Sequence, residues 1–179
     1  LMMLVMMQMH RLFIDVRLIG HQDTLFTNAG RHYFADCMVT GSVDFIFGAG
    51  TAVFDNCEIV SRDRGSRTNN GYVTAPSTPL SRPYGLVFIR SRLTKETPSM
   101  APGSGTLGRP WHPAALPGVN SAAVFIECWM DDHIGEKGWE RMSAVDSATA
   151  TRVWYEPMDS RFFEYRSTGP GASPSPLRR

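Results

Sequence analysis

The sequence is short of the features that mark several protein classes. Its formal net charge is only +1 over 179 residues, which gives no reason to expect nucleic acid or an anionic membrane as a partner. Its most apolar run, LMMLVMMQMH at the start, is too short to cross a bilayer and shows no basic segment or small-residue cleavage site. We therefore predict neither a membrane span nor a signal peptide in this chain.

Signatures of metal sites and of common hydrolases are missing as well. The sequence has no CxxC or HExxH pattern, and its five histidines are scattered, so we expect no metal. It has no GxSxG nucleophile elbow, which argues against a serine esterase, and no glycine-rich phosphate loop. Three cysteines, Cys37, Cys57 and Cys128, are too few for a disulfide scaffold. One interpretation is that they are small core residues.

What the sequence does contain is an internal repeat. Five segments share an apolar residue, a phenylalanine and then an alternation of apolar and variable residues that is typical of a strand. The phenylalanines are Phe13, Phe34, Phe54, Phe88 and Phe125. Their intervals of 21, 20, 34 and 37 residues indicate regular coils followed by coils with inserted loops. This spacing predicts an all-β parallel β-helix, a solenoid. An antiparallel sandwich, the alternative, usually spaces its strands by about 8–12 residues.

In such a solenoid, equivalent side chains stack from coil to coil. The five phenylalanines would form one internal ladder. A second ladder would contain Val16, Cys37, Cys57, Ser91 and Cys128. Cys37 and Cys57 would then lie on adjacent coils, about 4.8 Å apart. That spacing is compatible either with a disulfide or with two stacked thiols.

An acidic residue interrupts the apolar run GSVDFIFGAG. An isolated ionised carboxylate among buried strand residues is costly unless it is paired, hydrogen-bonded or protonated. Strand alternation predicts that Asp44 shares a face with Ile46, opposite Val43 and Phe45. The segment alone leaves two interpretations, a structural carboxylate satisfied by turn amides or an arginine, and a functional one.

A second acidic residue lies one coil earlier. Asp23, in GHQDTLF, precedes Asp44 by 21 residues, so a regular coil would place both carboxylates on the same side. Two close carboxylates cannot both ionise cheaply, which raises the pKa of one of them. The pair would then divide into a proton donor and an ionised nucleophile or base. Gln22 adds an amide that can stabilise an oxyanion. The alternative is that Asp23 caps a turn.

The segment GTLGRPWHP supplies an arginine and a tryptophan. Arg109 can pair with a buried carboxylate through two parallel hydrogen bonds, which would keep Asp44 ionised. Trp111 offers a flat face against which a sugar ring can pack. A GRPW turn by itself is more often structural than functional.

Taken together, these stretches resemble the pectin methylesterase (pectinesterase) family, in particular its bacterial members. The segments similar to the family, in chain order, are GHQDTLF, VTGSVDFIFG, GYVTAPSTP, LGRPW and DSRFFEYRSTGPGA. The resemblance extends from about Arg11 to Ala172. It implies a right-handed, single-stranded parallel β-helix with the site in a cleft along its outer face, and no metal or cofactor.

The resemblance also implies a role for each matching residue. Asp44 would be the nucleophile that attacks the methyl-ester carbonyl of a galacturonosyl unit. Asp23 would protonate the departing methanol and then take a proton from water. Gln22 would help to hold the oxyanion, and Arg109 would pair with Asp44. The residues expected to line the substrate groove are Trp111, Val43, Phe47, Arg64, Tyr72 and Met130. Bacterial members typically have a disulfide at the positions of Cys37 and Cys57.

The expected protein is a secreted, monomeric esterase that binds pectin (homogalacturonan) and converts it to methanol and pectate. We expect residues 11–172 to form a partial β-helix domain, residues 1–10 to be a remnant of an upstream coil or a non-native start, and residues 173–179 to be a flexible tail. Gln8 is too close to the QDT segment to be the family's second oxyanion glutamine, so we expect the first coils to be missing. A truncated relative that only binds a polysaccharide is the alternative. A backbone-cleaving lyase or polygalacturonase would fit the motifs less well.

Overall fold

The computed structural model describes residues 4–6 and 10–173, whose regular structure is almost entirely β. Three parallel sheets, A, B and C, contain five, six and five strands. In spatial order, sheet A consists of β1 (Leu4–Met6), β4 (Leu25–Thr27), β7 (Val43–Gly48), β10 (Gly71–Pro76) and β13 (Gly105–Gly108). Sheet B consists of β18 (Arg161–Tyr165), β14 (Ala122–Ile126), β11 (Leu86–Ile89), β8 (Thr51–Asp55), β5 (Arg31–Ala35) and β2 (Arg11–Ile14). Sheet C consists of β15 (Trp129–Met130), β12 (Arg92–Lys95), β9 (Glu58–Ser61), β6 (Met38–Gly41) and β3 (Arg17–Ile19).

The chain passes through sheets B, C and A in turn, and each strand pairs in parallel with its equivalent in the next coil. The β-helix predicted from the repeat is therefore confirmed. An antiparallel hairpin of β16 (Met142–Val145) and β17 (Arg152–Tyr155) interrupts the last coil. The two helices among the described residues are single 3₁₀ turns, Pro113–Ala115 and Pro157–Asp159, and neither is long enough to cross a membrane. Gln8 lies outside the described residues.

One left-handed residue directly follows each strand of sheet B, where the chain turns a corner. These corner residues are Asp15, Asp36, Asn56, Arg90, Glu127 and Arg166, with φ between 48° and 54°. Asn and Asp tolerate this conformation better than most residues because their short polar side chains bond locally. The Asn56 amide donates to Asp36 Oδ1 at 2.6 Å, so adjacent corners are also linked by their side chains.

The core contains both predicted ladders. Successive phenylalanine rings stack with centroids 4.7, 4.7, 4.7 and 4.4 Å apart, from Phe13 to Phe125. In the second ladder, the Val16 N–H donates to Cys37 Sγ at 3.5 Å and the Cys57 N–H to Ser91 Oγ at 3.1 Å. Stacking one ring per coil removes large apolar surfaces from water and keeps neighbouring coils in register.

The cysteines are separate buried thiols in this structure. Cys37 Sγ donates to the Ala35 carbonyl at 3.2 Å, and Cys57 Sγ donates to the Phe34 carbonyl at 3.4 Å. Burial raises the pKa of Cys57 to about 12, so this thiol is protonated at neutral pH. The disulfide between Cys37 and Cys57 that the resemblance implies is not formed in this structure. It remains a prediction.

Candidate active site

A β-bulge in β7 turns Asp44 to the outer face of sheet A. The pairing register shifts between Tyr72 and Thr74 of β10, so that Asp44 and Phe45 together face a single residue of the neighbouring strand. Asp44 has a left-handed φ of 50°, while Phe45 and Ile46 are both completely buried in the core. The predicted strict alternation was therefore wrong, because the bulge separates Asp44 from the face that carries Ile46.

Asp44 forms a two-bond ion pair with Arg109. Arg109 Nε lies 2.8 Å from Asp44 Oδ1 and Nη2 lies 2.6 Å from Oδ2, the parallel geometry that a guanidinium forms with a carboxylate. Asp44 is only 7% exposed. Burial raises the pKa of Asp44, and the Arg109 guanidinium opposes that rise. Burial acts to lower the pKa of Arg109, but its bonds with Asp44 raise it overall. The pairing predicted from the sequence is present.

Asp23 lies beside this pair on the preceding coil. Its backbone N–H donates to the Val43 carbonyl at 3.1 Å, which ties it to the strand that carries Asp44. Burial raises the pKa of Asp23, and the charge of Asp44 raises it further, whereas Arg109 and a hydrogen bond with Gln22 act in the opposite direction. The fold thus brings Asp23, Asp44, Gln22 and Arg109 together from three separate segments.

An aromatic wall stands next to the carboxylates. Trp111 contacts Phe47 edge-on, with ring centroids 5.6 Å apart, and Phe26 at 6.2 Å. Phe26 and Phe47 stack on each other at 4.5 Å. Sequence analysis missed Phe26, although it lies 21 residues before Phe47 and the coil interval could have found it. Planar aromatic surfaces of this kind suit the apolar faces of sugar rings.

Tyr72 and the loop of residues 62–70 border the other side of Arg109. The Tyr72 ring centroid lies 3.9 Å from the central carbon of the Arg109 guanidinium. The Tyr72 hydroxyl accepts a hydrogen bond from Asn69 Nδ2 at 2.8 Å. Arg64, on the same loop, is exposed. Val43 is half-buried and pairs with Tyr72 across the sheet.

A cleft of about 330 Å³ opens beside Tyr72 and Arg109. Its remaining lining comes from the segment that enters the hairpin and from the hairpin itself, namely Glu140, Arg141, Met142, Ser143 and Trp154. Tyr155 stacks on His112 with ring centroids 3.6 Å apart, which holds the hairpin against the segment that follows Trp111.

The predicted placement of Met130 in the groove was wrong. Met130 is completely buried, belongs to the core and pairs with Leu93 in sheet C. The methionine beside the site is Met142, which lines the cleft. It belongs to the antiparallel hairpin, outside the coil repeat, so the repeat provided no signal for it.

Within the described residues, no three His, Cys, Asp or Glu side chains are grouped so that they could hold a metal ion. The polar groups that the fold brings together at the site are two carboxyls, an amide and a guanidinium.

The family model described as Pectinesterase matches residues 3–177. This chain belongs to the pectinesterase family. Pectinesterase A of Dickeya chrysanthemi is 48% identical over 178 residues, which cover 93% of this chain and 48% of that protein. Pectinesterase 31 of Arabidopsis thaliana is 34% identical, over 91% of this chain and 44% of its own length. This pectinesterase-family chain thus spans about half the length of the curated relatives it matches.

Solved structures give the same assignment. Pectin methylesterase PemA from Erwinia chrysanthemi matches with a TM-score of 0.91 and 45% identity, over 96% of this chain and 52% of that one. The pectin methylesterase from Yersinia enterocolitica matches with a TM-score of 0.89 and 50% identity, over 94% and 54%. A pectin methylesterase in complex with a hexasaccharide matches with a TM-score of 0.90 and 47% identity, over 94% and 52%. The pectinesterase β-helix is therefore shared at the level of the backbone.

Proposed function

We propose that this chain carries the reactive residues of an esterase that removes methyl groups from pectin and yields methanol and pectate. The observation that carries the proposal is the buried Asp44 carboxylate, held by two bonds from Arg109 and coupled to the charge of Asp23. The pectinesterase relatives support the substrate, and the hexasaccharide bound by one related structure supports a carbohydrate polymer as ligand.

The surroundings of the two carboxyls support different roles for them. Burial raises the pKa of both, although Asp44 is buried and Asp23 only half-buried. Only Asp44 accepts hydrogen bonds from a guanidinium, which favours its ionised form. Asp23 lies beside an existing negative charge and is the group that keeps a proton. Asp44 is accordingly the nucleophile and Asp23 the general acid.

In the first half of the reaction, an Asp44 oxygen forms a bond to the carbonyl carbon of the methyl ester, and the carbonyl oxygen becomes an oxyanion. The Gln22 amide donates a hydrogen bond to that oxyanion. The bond from carbon to the methoxy oxygen then breaks, and Asp23 gives its proton to the departing methanol. The galacturonosyl group is left attached to Asp44 as an acid anhydride.

In the second half, water attacks the galacturonosyl carbonyl carbon while Asp23, now ionised, takes one of its protons. The bond between that carbon and Asp44 breaks, which restores the Asp44 carboxylate and the protonated Asp23. The product carboxylic acid then loses its proton to solvent. In both halves of the reaction, the bonds and protons balance without a metal or a redox group.

The proposed substrate groove follows the outer face of sheet A. Trp111, Phe47 and Val43 line it on the side of the carboxylates, and Tyr72 and Arg64 lie on the side of the 62–70 loop. We include Met142 in place of Met130. The proposed partner is homogalacturonan, bound by a monomer that works outside the cell, where pectin is found.

Methanol release from highly methylated polygalacturonate tests this function. We expect release by the chain, its loss on Asp44→Asn, and retention on Asp55→Asn, a matched control. Asp55 also accepts a hydrogen bond from an arginine, with Arg90 Nη2 2.6 Å from its Oδ1, but on the surface of sheet B. Folding is checked by circular dichroism. Polymer retention without methanol, unchanged in the Asp23→Asn/Asp44→Asn double variant, would instead identify a protein that only binds polysaccharide.

A further inference from the structure

Tyr72 contacts the ion pair as well as the groove. The Arg109 guanidinium lies over the face of its ring, 3.9 Å from the centroid, a geometry in which the ring quadrupole attracts the cation. The edge of the same guanidinium donates to Asp44 through Nε and Nη2. The planar guanidinium of Arg109 therefore contacts Tyr72 with its face and Asp44 with its edge.

The backbone of Tyr72 is paired on both sides, and its ring is held at the tip. In sheet A, Tyr72 pairs with Val43 of β7, the strand that contains Asp44, and with Thr106 of β13, the strand that ends directly before Arg109. Its hydroxyl accepts a hydrogen bond from Asn69 Nδ2. The tyrosine is thus fixed between the two residues whose contact it influences.

The loop that supplies Asn69 is anchored from inside the protein. Asn70 is completely buried. Its Oδ1 accepts from the Arg64 N–H at 2.9 Å and the Ser66 N–H at 3.1 Å, and its Nδ2 donates to Ser104 Oγ at 2.9 Å. The position of Asn69, and through it that of the Tyr72 hydroxyl, therefore depends on a buried hydrogen-bond network and not on a free loop.

We propose that Tyr72 is a positioning residue that holds the Arg109 guanidinium in register with Asp44, and that Asn69 fixes the tyrosine. An arginine side chain has many rotamers, and its two-bond contact with a carboxylate requires one orientation of the guanidinium plane. The Tyr72 ring supplies a flat surface that favours this orientation. The kinetic consequence rests on the proposed function, whereas the structural one does not.

The charged groups that interact with Asp44 are Arg109 and Asp23. When Arg109 is held less firmly, its favourable interaction with Asp44 weakens, while the effect of burial, which raises the pKa of Asp44, remains. The pKa of Asp44 must then rise, so that the carboxylate forms only at higher pH. A residue that merely contacts substrate would not change this pKa in the absence of substrate.

The test compares Tyr72→Leu, which removes the aromatic face, with Tyr72→Phe, which keeps it and loses only the hydroxyl. The first readout needs no activity: the ¹³C carboxyl resonance of Asp44 is followed against pH in the substrate-free chain. We expect the Asp44 titration to move to higher pH in Tyr72→Leu, and to move in the same direction by a smaller amount in Tyr72→Phe, which keeps the aromatic face but loses the bond from Asn69. Asn69→Ala should resemble Tyr72→Phe.

The second readout is methanol release against pH. We expect Tyr72→Leu to lower kcat by roughly 2- to 30-fold, the range of a cation–π contact, and to move the acidic limb of the profile to higher pH, with partial rescue in Tyr72→Phe. A raised KM with an unchanged acidic limb and an unchanged Asp44 titration would overturn the inference and leave Tyr72 as a groove residue. If Tyr72→Leu does not fold, Tyr72→Met replaces it. If the unmodified chain releases no methanol, the titration still decides the inference.

Discussion

Replacement of Arg109 by methionine separates the electrostatic part of this site from its packing. Methionine keeps much of the apolar stem and removes the guanidinium. Asp44, whose side chain is 9% exposed beside Arg109, then loses both of its hydrogen bonds. Removing one partner of a buried ion pair costs about 3–5 kcal/mol, a large part of a total stability of about 5–15 kcal/mol. We expect a decrease of this size in the free energy of unfolding at pH 8.

The effect should depend on pH in a defined direction. Without Arg109, burial raises the pKa of Asp44 in the folded state with less opposition, while the unfolded chain keeps its ordinary value. A group whose folded pKa is raised stabilises the protein at low pH, and this contribution is lost as pH rises through the folded pKa. The variant should therefore be closest to the parent chain near pH 4 and fall behind it toward pH 8.

Urea unfolding at pH 4, 6 and 8 measures both quantities. The control is Arg90→Met, which breaks an ion pair of the same 2.6 Å length whose arginine is 57% exposed. Such a surface pair contributes no more than about 1 kcal/mol. A loss in Arg109→Met of under about 1 kcal/mol at pH 8, or one of equal size at all three pH values, would refute the reasoning.

Two further predictions concern stability. His133 is completely buried and, among the described residues, neither ring nitrogen has a hydrogen-bond partner. Burial lowers the pKa of His133 to about 4, so the free energy of unfolding should fall by about 3 kcal/mol as pH drops from 7 to 4. In His133→Leu, this part of the pH dependence should be missing from the urea midpoints. Arg161 donates five hydrogen bonds to neutral oxygens of four residues, Pro79, Arg82, Pro83 and Asn120. Arg161→Met should therefore cost more than about 2 kcal/mol in thermal unfolding, and Arg161→Lys should restore little because an ammonium cannot span these acceptors.

Most of the solenoid follows from local regularities in the sequence. A strand can be predicted from an alternation with a period of two, and equivalent coils from a repeated interval. Both patterns are visible in the sequence without knowledge of the fold. The stacked rings from Phe13 to Phe125 follow directly, as does the proximity of Asp23 and Asp44 on adjacent coils. Arg109 was identified from its chemistry, because a buried carboxylate needs a counter-charge.

Apart from Phe26, which the coil interval could have found, and Met130, the features that sequence analysis missed depend on a departure from the repeat. The bulge at Asp44 places two successive side chains, Phe45 and Ile46, in the core, and no alternation pattern predicts an extra residue in a strand. Met142 reaches the cleft on a hairpin that lies outside the coils. Met130 sits in a strand of the repeat, but its side chain turns inward.

The sequence by itself determined the coil, its ladders and the choice of the residues proposed to react, because each depends on residue type and spacing along the chain. Only the tertiary structure decided how those groups meet. The left-handed Asp44, the Tyr72 ring against Arg109 and the Asn69 amide on Tyr72 come from three segments whose relative positions depend on loop insertions between coils. The free energy of each contact depends on burial and orientation, which exist only after the coils have stacked.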